Sequence, residues 1–274
     1  MTAKETPGIK MSGDELARPR TGSTAGVNYI ALPPTAADAD PDGAPPLVVA
    51  WHGQRPPRTE TAFAAAVPMT GIPGWRVYLS LPQGPDDAVI EQAAAQVPAV
   101  VAGLRADLGL EAGPIGLAGF SLGACVAMRA LARGEVTAAG AALIAPLPAG
   151  RSWVGDIAAR NAALLLVGGG NDEIAPPSEL AEWRDRLRAA GLADVELAMF
   201  RMGHTLAAEP GTEPRPQIAE AISVEAAVTD WFRDHLGVRP RRLSDPAPRR
   251  SHRERPHDRT ADDTRDHATV PGHP

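Results

Sequence analysis

Gly119-Phe120-Ser121-Leu122-Gly123 constrains the fold of this chain more than any other segment, because it sets a serine between two glycines directly after an apolar run. Pro114-Ile115-Gly116-Leu117-Ala118 before it reads as a short buried strand. Ala124-Cys125-Val126-Ala127-Met128-Arg129-Ala130-Leu131 after it reads as a helix. A strand that turns sharply into a helix needs small residues beside the turn, where side chains would meet the neighbouring backbone. The apex residue is pushed outward in a strained conformation above the helix N-terminus. A serine held there is presented as a nucleophile, and the amide of Leu122 points to where an oxyanion would form. Chance matches to such a pattern are common in a chain with 27 glycines, so the flanking strand and helix carry the weight of the reading.

Two further segments repeat the arrangement of a polar residue just past a strand. Leu164-Leu165-Leu166-Val167 is a buried-strand run that ends in Gly168-Gly169-Gly170-Asn171-Asp172, with a new helix predicted from Pro177. Val195-Glu196-Leu197-Ala198-Met199-Phe200 reads as another strand and leads into Arg201-Met202-Gly203-His204-Thr205. Ser121, Asp172 and His204 each follow a predicted strand, and in a parallel sheet such loops share the carboxyl edge, where open α/β sheets build their sites. Asp172 also has the chemistry of a cap for the helix near Pro177, and Glu173 adjoins it. The Gly-x-x-Asp-x-x-x-Pro spacing favours Asp172.

With these residues in place, the chain resembles the α/β-hydrolase superfamily, in particular compact serine esterases of the carboxylesterase, phospholipase and dienelactone-hydrolase-like kind. The resemblance rests on Gly119 to Gly123, on Gly169-Gly170-Asn171-Asp172-Glu173-Ile174-Ala175-Pro176, on Gly203-His204, and on Trp51-His52-Gly53-Gln54 after the strand Leu47 to Ala50. It spans about Val27 to Gly237, and the chain order Ser, Asp, His is the family's order. It implies a mostly parallel central sheet with helices on both faces, and a catalytic set of Ser121, Asp172 and His204. It also implies an oxyanion hole completed by the backbone amide of Gln54, beside that of Leu122.

The chemistry of these residue types agrees. A serine hydroxyl needs a base as it attacks, imidazole titrates near neutral pH, and a carboxylate on the second ring nitrogen fixes the tautomer. The expected activity is hydrolysis of carboxylic esters of short or accessible acyl groups through an acyl-serine intermediate. A thioesterase, acyltransferase or peptidase uses the same three groups, and a non-catalytic hydrolase-fold binding protein is the alternative from another class. No cluster has metal-ligand spacing and no glycine loop has the downstream features of a nucleotide site, so neither a metal nor a cofactor is expected. His52 reads as a brace for the turn before Gly53, Cys125 as a small core residue, and His235 as a helix-terminal residue without a role. Trp51, Trp153 and Phe120 flank the site loops, as core or as acyl-pocket residues.

At 274 residues the chain is long enough for one domain with a full core and tails. A net charge of −6 argues against a nucleic-acid surface. The single cysteine rules out an intramolecular disulfide and fits a reducing compartment. The first 26 residues lack a signal-peptide core, and no apolar stretch approaches the ~20 residues of a membrane span, so a cytoplasmic location is expected. The sequence does not indicate an oligomeric state.

Along the chain, residues 1–26 have the polar composition of a flexible segment, 27–237 form the hydrolase-like domain, and 238–274 read as a disordered tail. From Arg239 onward there are nine arginines, six acidic residues and four of the seven histidines. Strands are predicted over Val27–Leu32, Leu47–Ala50, Trp75–Ser80 and Ala141–Ile144, besides those around the three polar residues. A helix over about Asp87 to Leu108 shows apolar residues at fours and threes, with Pro98 inside it. Further helices are predicted over Pro177–Ala190 and about Gln217–Leu236. Pro146 to Ala162 is too short for a cap domain, which predicts an uncapped, fairly open site.

Overall fold

The computed structural model describes residues 18–34, 44–206 and 218–236. Among the described residues there are eight strands: β1 Arg20–Thr24, β2 Val27–Leu32, β3 Leu47–Trp51, β4 Trp75–Leu79, β5 Ile115–Phe120, β6 Gly140–Ile144, β7 Ala163–Gly169 and β8 Val195–Phe200. They form one sheet in the order β1-β2-β4-β3-β5-β6-β7-β8. From β4 to β8 every pairing is parallel, while β1 and β2 run antiparallel at one end. The parallel strands β3 to β6 are buried at every position, which is why β3, β5 and β6 read in sequence as short continuous apolar runs, while β4 carries the buried Arg76.

Helices cover both faces. On one face lie α2 Asp86–Leu108, α3 Leu122–Arg133, α4 Val154–Ala158 and α5 Pro177–Ala189. On the other lie α1 Glu60–Ala66 and α6 Ala219–His235. Strand residues alternate between the two cores: Val49, Leu117, Leu143 and Leu166 face the α2–α3 side, and Val48, Ala118, Ala142 and Leu165 face α1 and α6. Helix α2 runs through Pro98 and ends at Gly109 in the left-handed conformation, φ 66°. Between β6 and β7 there is only a 3-10 turn, Pro148–Trp153, followed by the five-residue α4, and so no cap domain.

Two elements differ from the sequence expectation. Residues 20–24 fall in the segment expected to be flexible, yet they pair with Val27–Leu32 through a tight turn at Ala25 and Gly26, both at positive φ (49° and 77°). That two-residue turn is what specifies the hairpin, and the polar strand it adds sits at the sheet edge, where burial leaves no pattern to read. Helix α1 was not expected either. It is seven residues long and begins where the Thr59 side chain accepts a hydrogen bond from the Ala62 amide. Residues 1–17 and the tail from 237 onward lie outside the described residues.

The connections create the crevice that matters. Strand β3 leads through α1 to β4 on one side of it, and β4 leads through α2 to β5 on the other side. The chain therefore diverges beyond the carboxyl ends of β3 and β5, the switch point at which open α/β sheets bind ligands.

Candidate active site

Ser121 stands between β5 and α3 with φ 54° and ψ −116°, a conformation rarely taken by a residue with a side chain. The strain is held from both sides. Its amide donates to the Ile144 carbonyl at 2.8 Å, and its own carbonyl accepts from the amides of Ala124 and Cys125. Gly123 is required by close approach: a Cβ there would lie 2.2 Å from the Trp51 carbonyl oxygen and 2.5 Å from that of His52. A Cβ at Gly119 would meet the Gly123 carbonyl in the same way. The two glycines thus let α3 start directly against the end of β3.

Ser121 Oγ is 2.8 Å from His204 Nε2, and His204 Nδ1 is 2.9 Å from Asp172 Oδ2. The three residues come from the loops after β5, β7 and β8, so the sequence-predicted set converges on one edge. Asp172 uses its second oxygen locally: Oδ1 accepts from the Ile174 and Ala175 amides, each at 2.8 Å. A carboxylate anchored by two backbone donors presents its other oxygen to His204 in a fixed direction. Asp172 does not cap α5, whose N-cap is Pro176, and Glu173 is exposed. Ser121 and His204 are only 3 % and 7 % exposed, so the absence of a cap domain does not leave the serine broadly open to solvent.

The loop after β3 packs directly on the serine. A Cβ at Gly53 would lie 2.9 Å from both the Ser121 Cβ and the Phe120 ring, so only glycine brings this backbone so near. Neither the Leu122 amide, at the start of α3, nor the Gln54 amide has a hydrogen-bond acceptor among the described residues. The Leu122 amide opens α3 directly after Ser121, and the Gln54 amide follows Gly53 on the loop packed against the serine. His52 braces this loop. Its Nδ1 donates to the Gly53 carbonyl at 2.7 Å, and its Nε2 accepts from the Leu81 amide at 3.3 Å. Burial pushes the His52 pKa down from the ordinary histidine value, with the Gly53 carbonyl opposing. The ring is held in the form with its proton on Nδ1.

Phe120, fully buried, places its ring centroid 5.6 Å from that of His204 and packs on Phe63 of α1. Trp51 points into the α2–α3 core, and Trp153 is covered by the Arg129 guanidinium at 5.6 Å. Cys125 is buried with its thiol near the Leu147 carbonyl. A groove of about 530 Å³ lined by Val101, Ile115 and Val136 opens at the amino ends of β5 and β6, the wrong end of the sheet for Ser121. Sequence reasoning did not assign the double anchoring of Asp172 Oδ1. The run Asp172-Glu173-Ile174-Ala175 before a proline carried that signal, since an aspartate so placed accepts from amides two and three residues on.

No family model matches the chain, and no curated protein matches it in sequence. Solved structures do resemble it in shape. A CIB-like hydrolase from Thermoplasma acidophilum superposes with a TM-score of 0.59 at 14 % identity, over 79 % of this chain and 98 % of its own. The protein TT1662 from Thermus thermophilus gives 0.57 at 20 % identity, over 81 % and 100 %. A Pyrococcus furiosus esterase gives 0.55 at 16 % identity, over 86 % and 99 %. No described helix is long and apolar enough to cross a membrane. An eight-stranded, mostly parallel sheet covered on both faces, matched along nearly the full length of such proteins, is the α/β-hydrolase fold.

Proposed function

We propose that the chain is a serine hydrolase that cleaves carboxylic esters through an acyl-Ser121 intermediate. The observation that carries this reading is the continuous relay Ser121 Oγ–His204 Nε2 and His204 Nδ1–Asp172 Oδ2, built on a strained elbow. In the first step Ser121 Oγ attacks the ester carbonyl while His204 Nε2 accepts its proton. Asp172 keeps the proton of neutral His204 on Nδ1 and stabilises the imidazolium as it forms. The amides of Leu122 and Gln54 donate to the tetrahedral oxyanion. His204 then returns the proton to the leaving alcohol, and water repeats the sequence on the acyl-enzyme. Every proton has a protein partner, so the scheme needs no cofactor.

The substrate carries a short or accessible acyl group, as a small ester or an ester on a larger molecule, since the segment between β6 and β7 holds only a short turn and a five-residue helix. The working body is residues 27–237 with the β1 strand added, and the expected site of action is the cytoplasm.

The test is hydrolysis of p-nitrophenyl acetate, butyrate and octanoate by the wild type and by Ser121→Ala. Rates should fall with chain length, and turnover should drop on the order of 10⁶-fold in the variant. Folded wild type that neither hydrolyses these esters nor takes a fluorophosphonate label on Ser121 is a binding protein, and the reading fails. A preference of several orders of magnitude for an acyl thioester or an aminoacyl amide would replace the ester in it.

A further inference from the structure

At the opposite end of β8 from His204, three groups with metal-ligand chemistry meet. Asp194 directly precedes the strand, Glu196 lies on it, and His235 closes α6. Their ligand atoms all lie within 4.8 Å of one another. The histidine is fixed in place. Its ring stacks on Trp231 at 4.2 Å between centroids, and Nδ1 donates to the Trp231 carbonyl at 2.7 Å. A carbonyl is an acceptor only, so the neutral ring carries its proton on Nδ1 and turns the Nε2 lone pair toward the two carboxylates. This arrangement, one ring nitrogen bound to a backbone carbonyl and the other free, is the usual one in a metal-binding histidine.

The distances bear on the choice between an ion pair and a metal. His235 Nε2 and Asp194 Oδ2 are 3.4 Å apart, long for a charge-assisted hydrogen bond. Metal bonds of about 2.0–2.2 Å give a tetrahedral ligand-to-ligand edge of about 3.3–3.6 Å. Neither carboxylate is paired with an arginine or lysine among the described residues. Arg188, the nearby cation, donates to the Val195 carbonyl instead. The site also lies at the last turn of a 17-residue helix, whose exposed carbonyls favour a cation.

We propose that Asp194, Glu196 and His235 bind one divalent transition-metal ion, of the class that takes imidazole and carboxylate ligands together, with zinc as the probe. Three protein ligands leave the remaining position to water. The site stands about the length of β8 away from Ser121 and takes no part in the hydrolytic steps. It ties the end of α6 to the edge strand that leads to His204.

The experiment is calorimetric titration of the metal-free full chain with zinc, alongside Asp194→Asn, Glu196→Gln and His235→Gln. All three residues are at least partly exposed, and metal-free unfolding midpoints equal to the wild type establish that each variant folds. The four histidines of residues 239–274 are untouched in every variant, so binding lost on substitution belongs to the cluster. One zinc per chain with micromolar affinity is expected, with a raised unfolding midpoint. The affinity should weaken by at least about tenfold in each variant. Zinc affinity unchanged in His235→Gln, or no binding by the wild type at millimolar zinc, would leave only a His235–Asp194 ion pair and overturn the proposal.

Discussion

At the residue scale, Asp172 illustrates how one carboxylate divides its work. Oδ1 is spent on the Ile174 and Ala175 amides, and Oδ2 faces His204. Asp172→Asn keeps the size but offers a donor where His204 Nδ1 also needs to donate, so the histidine is driven to the wrong tautomer. Turnover should fall by about 10⁴-fold with KM little changed, which steady-state kinetics on p-nitrophenyl acetate will measure. His52 makes a second prediction, on pH. Its folded pKa is held below the unfolded value of about 6.5, so below that pH the unfolded chain binds the extra proton. The stability it contributes is full above pH ~6.5 and is lost as pH falls toward the folded pKa, where Nε2 can no longer accept from Leu81. Urea midpoints of wild type and His52→Gln should converge on acidification from pH 8 to pH 5. A gap that stays constant refutes the account. Ser121, Asp172 and His204 were legible because each lies within a few residues after the end of a strand. The bracing contacts of His52 were legible only in part: Gly53 is its neighbour in sequence, while Leu81 lies in the segment after β4.

At the level of elements, the glycines that let β3, β5 and α3 approach one another decide whether the site assembles. Gly53→Ala puts a methyl against Ser121 and Phe120, where the facing groups are a Cβ and an aromatic ring with little room to yield. The loop bearing Gln54 must then retreat. The expected result is a fall in kcat of about 10²–10³-fold, the size of losing one oxyanion donor, with the unfolding midpoint much less affected. Ester kinetics together with thermal unfolding separate that from general destabilisation. Parallel strands and long helices were readable because burial on both faces leaves continuous apolar runs and burial on one face leaves a helical stripe. Strand β1 and helix α1 were not. Arg-Thr-Gly-Ser-Thr at an edge has nothing to alternate, and a seven-residue helix spans barely two turns of pattern.

For the whole molecule, the last element among the described residues, α6, ends at His235. Removing residues 238–274 should therefore leave kcat/KM on small esters within about twofold of the full chain. A large loss with folding intact would place that segment in the working enzyme. The Asp194–Glu196–His235 cluster shows what sequence reading at this scale misses. Its carboxylates and histidine come from different elements, a strand edge and a helix end, so no spacing motif announces it. The order of the three site residues along the chain has a consequence in time. Ser121 follows a strand in the middle of the sheet, Asp172 follows the penultimate strand, and His204 follows the outermost one. Under the proposed mechanism, a chain emerging amino end first can form its strained elbow early and yet gains its base, His204, only once the final strand has docked. On that mechanism, reactivity toward esters reports that β8 has docked, and a chain still lacking that strand in place carries an inert serine.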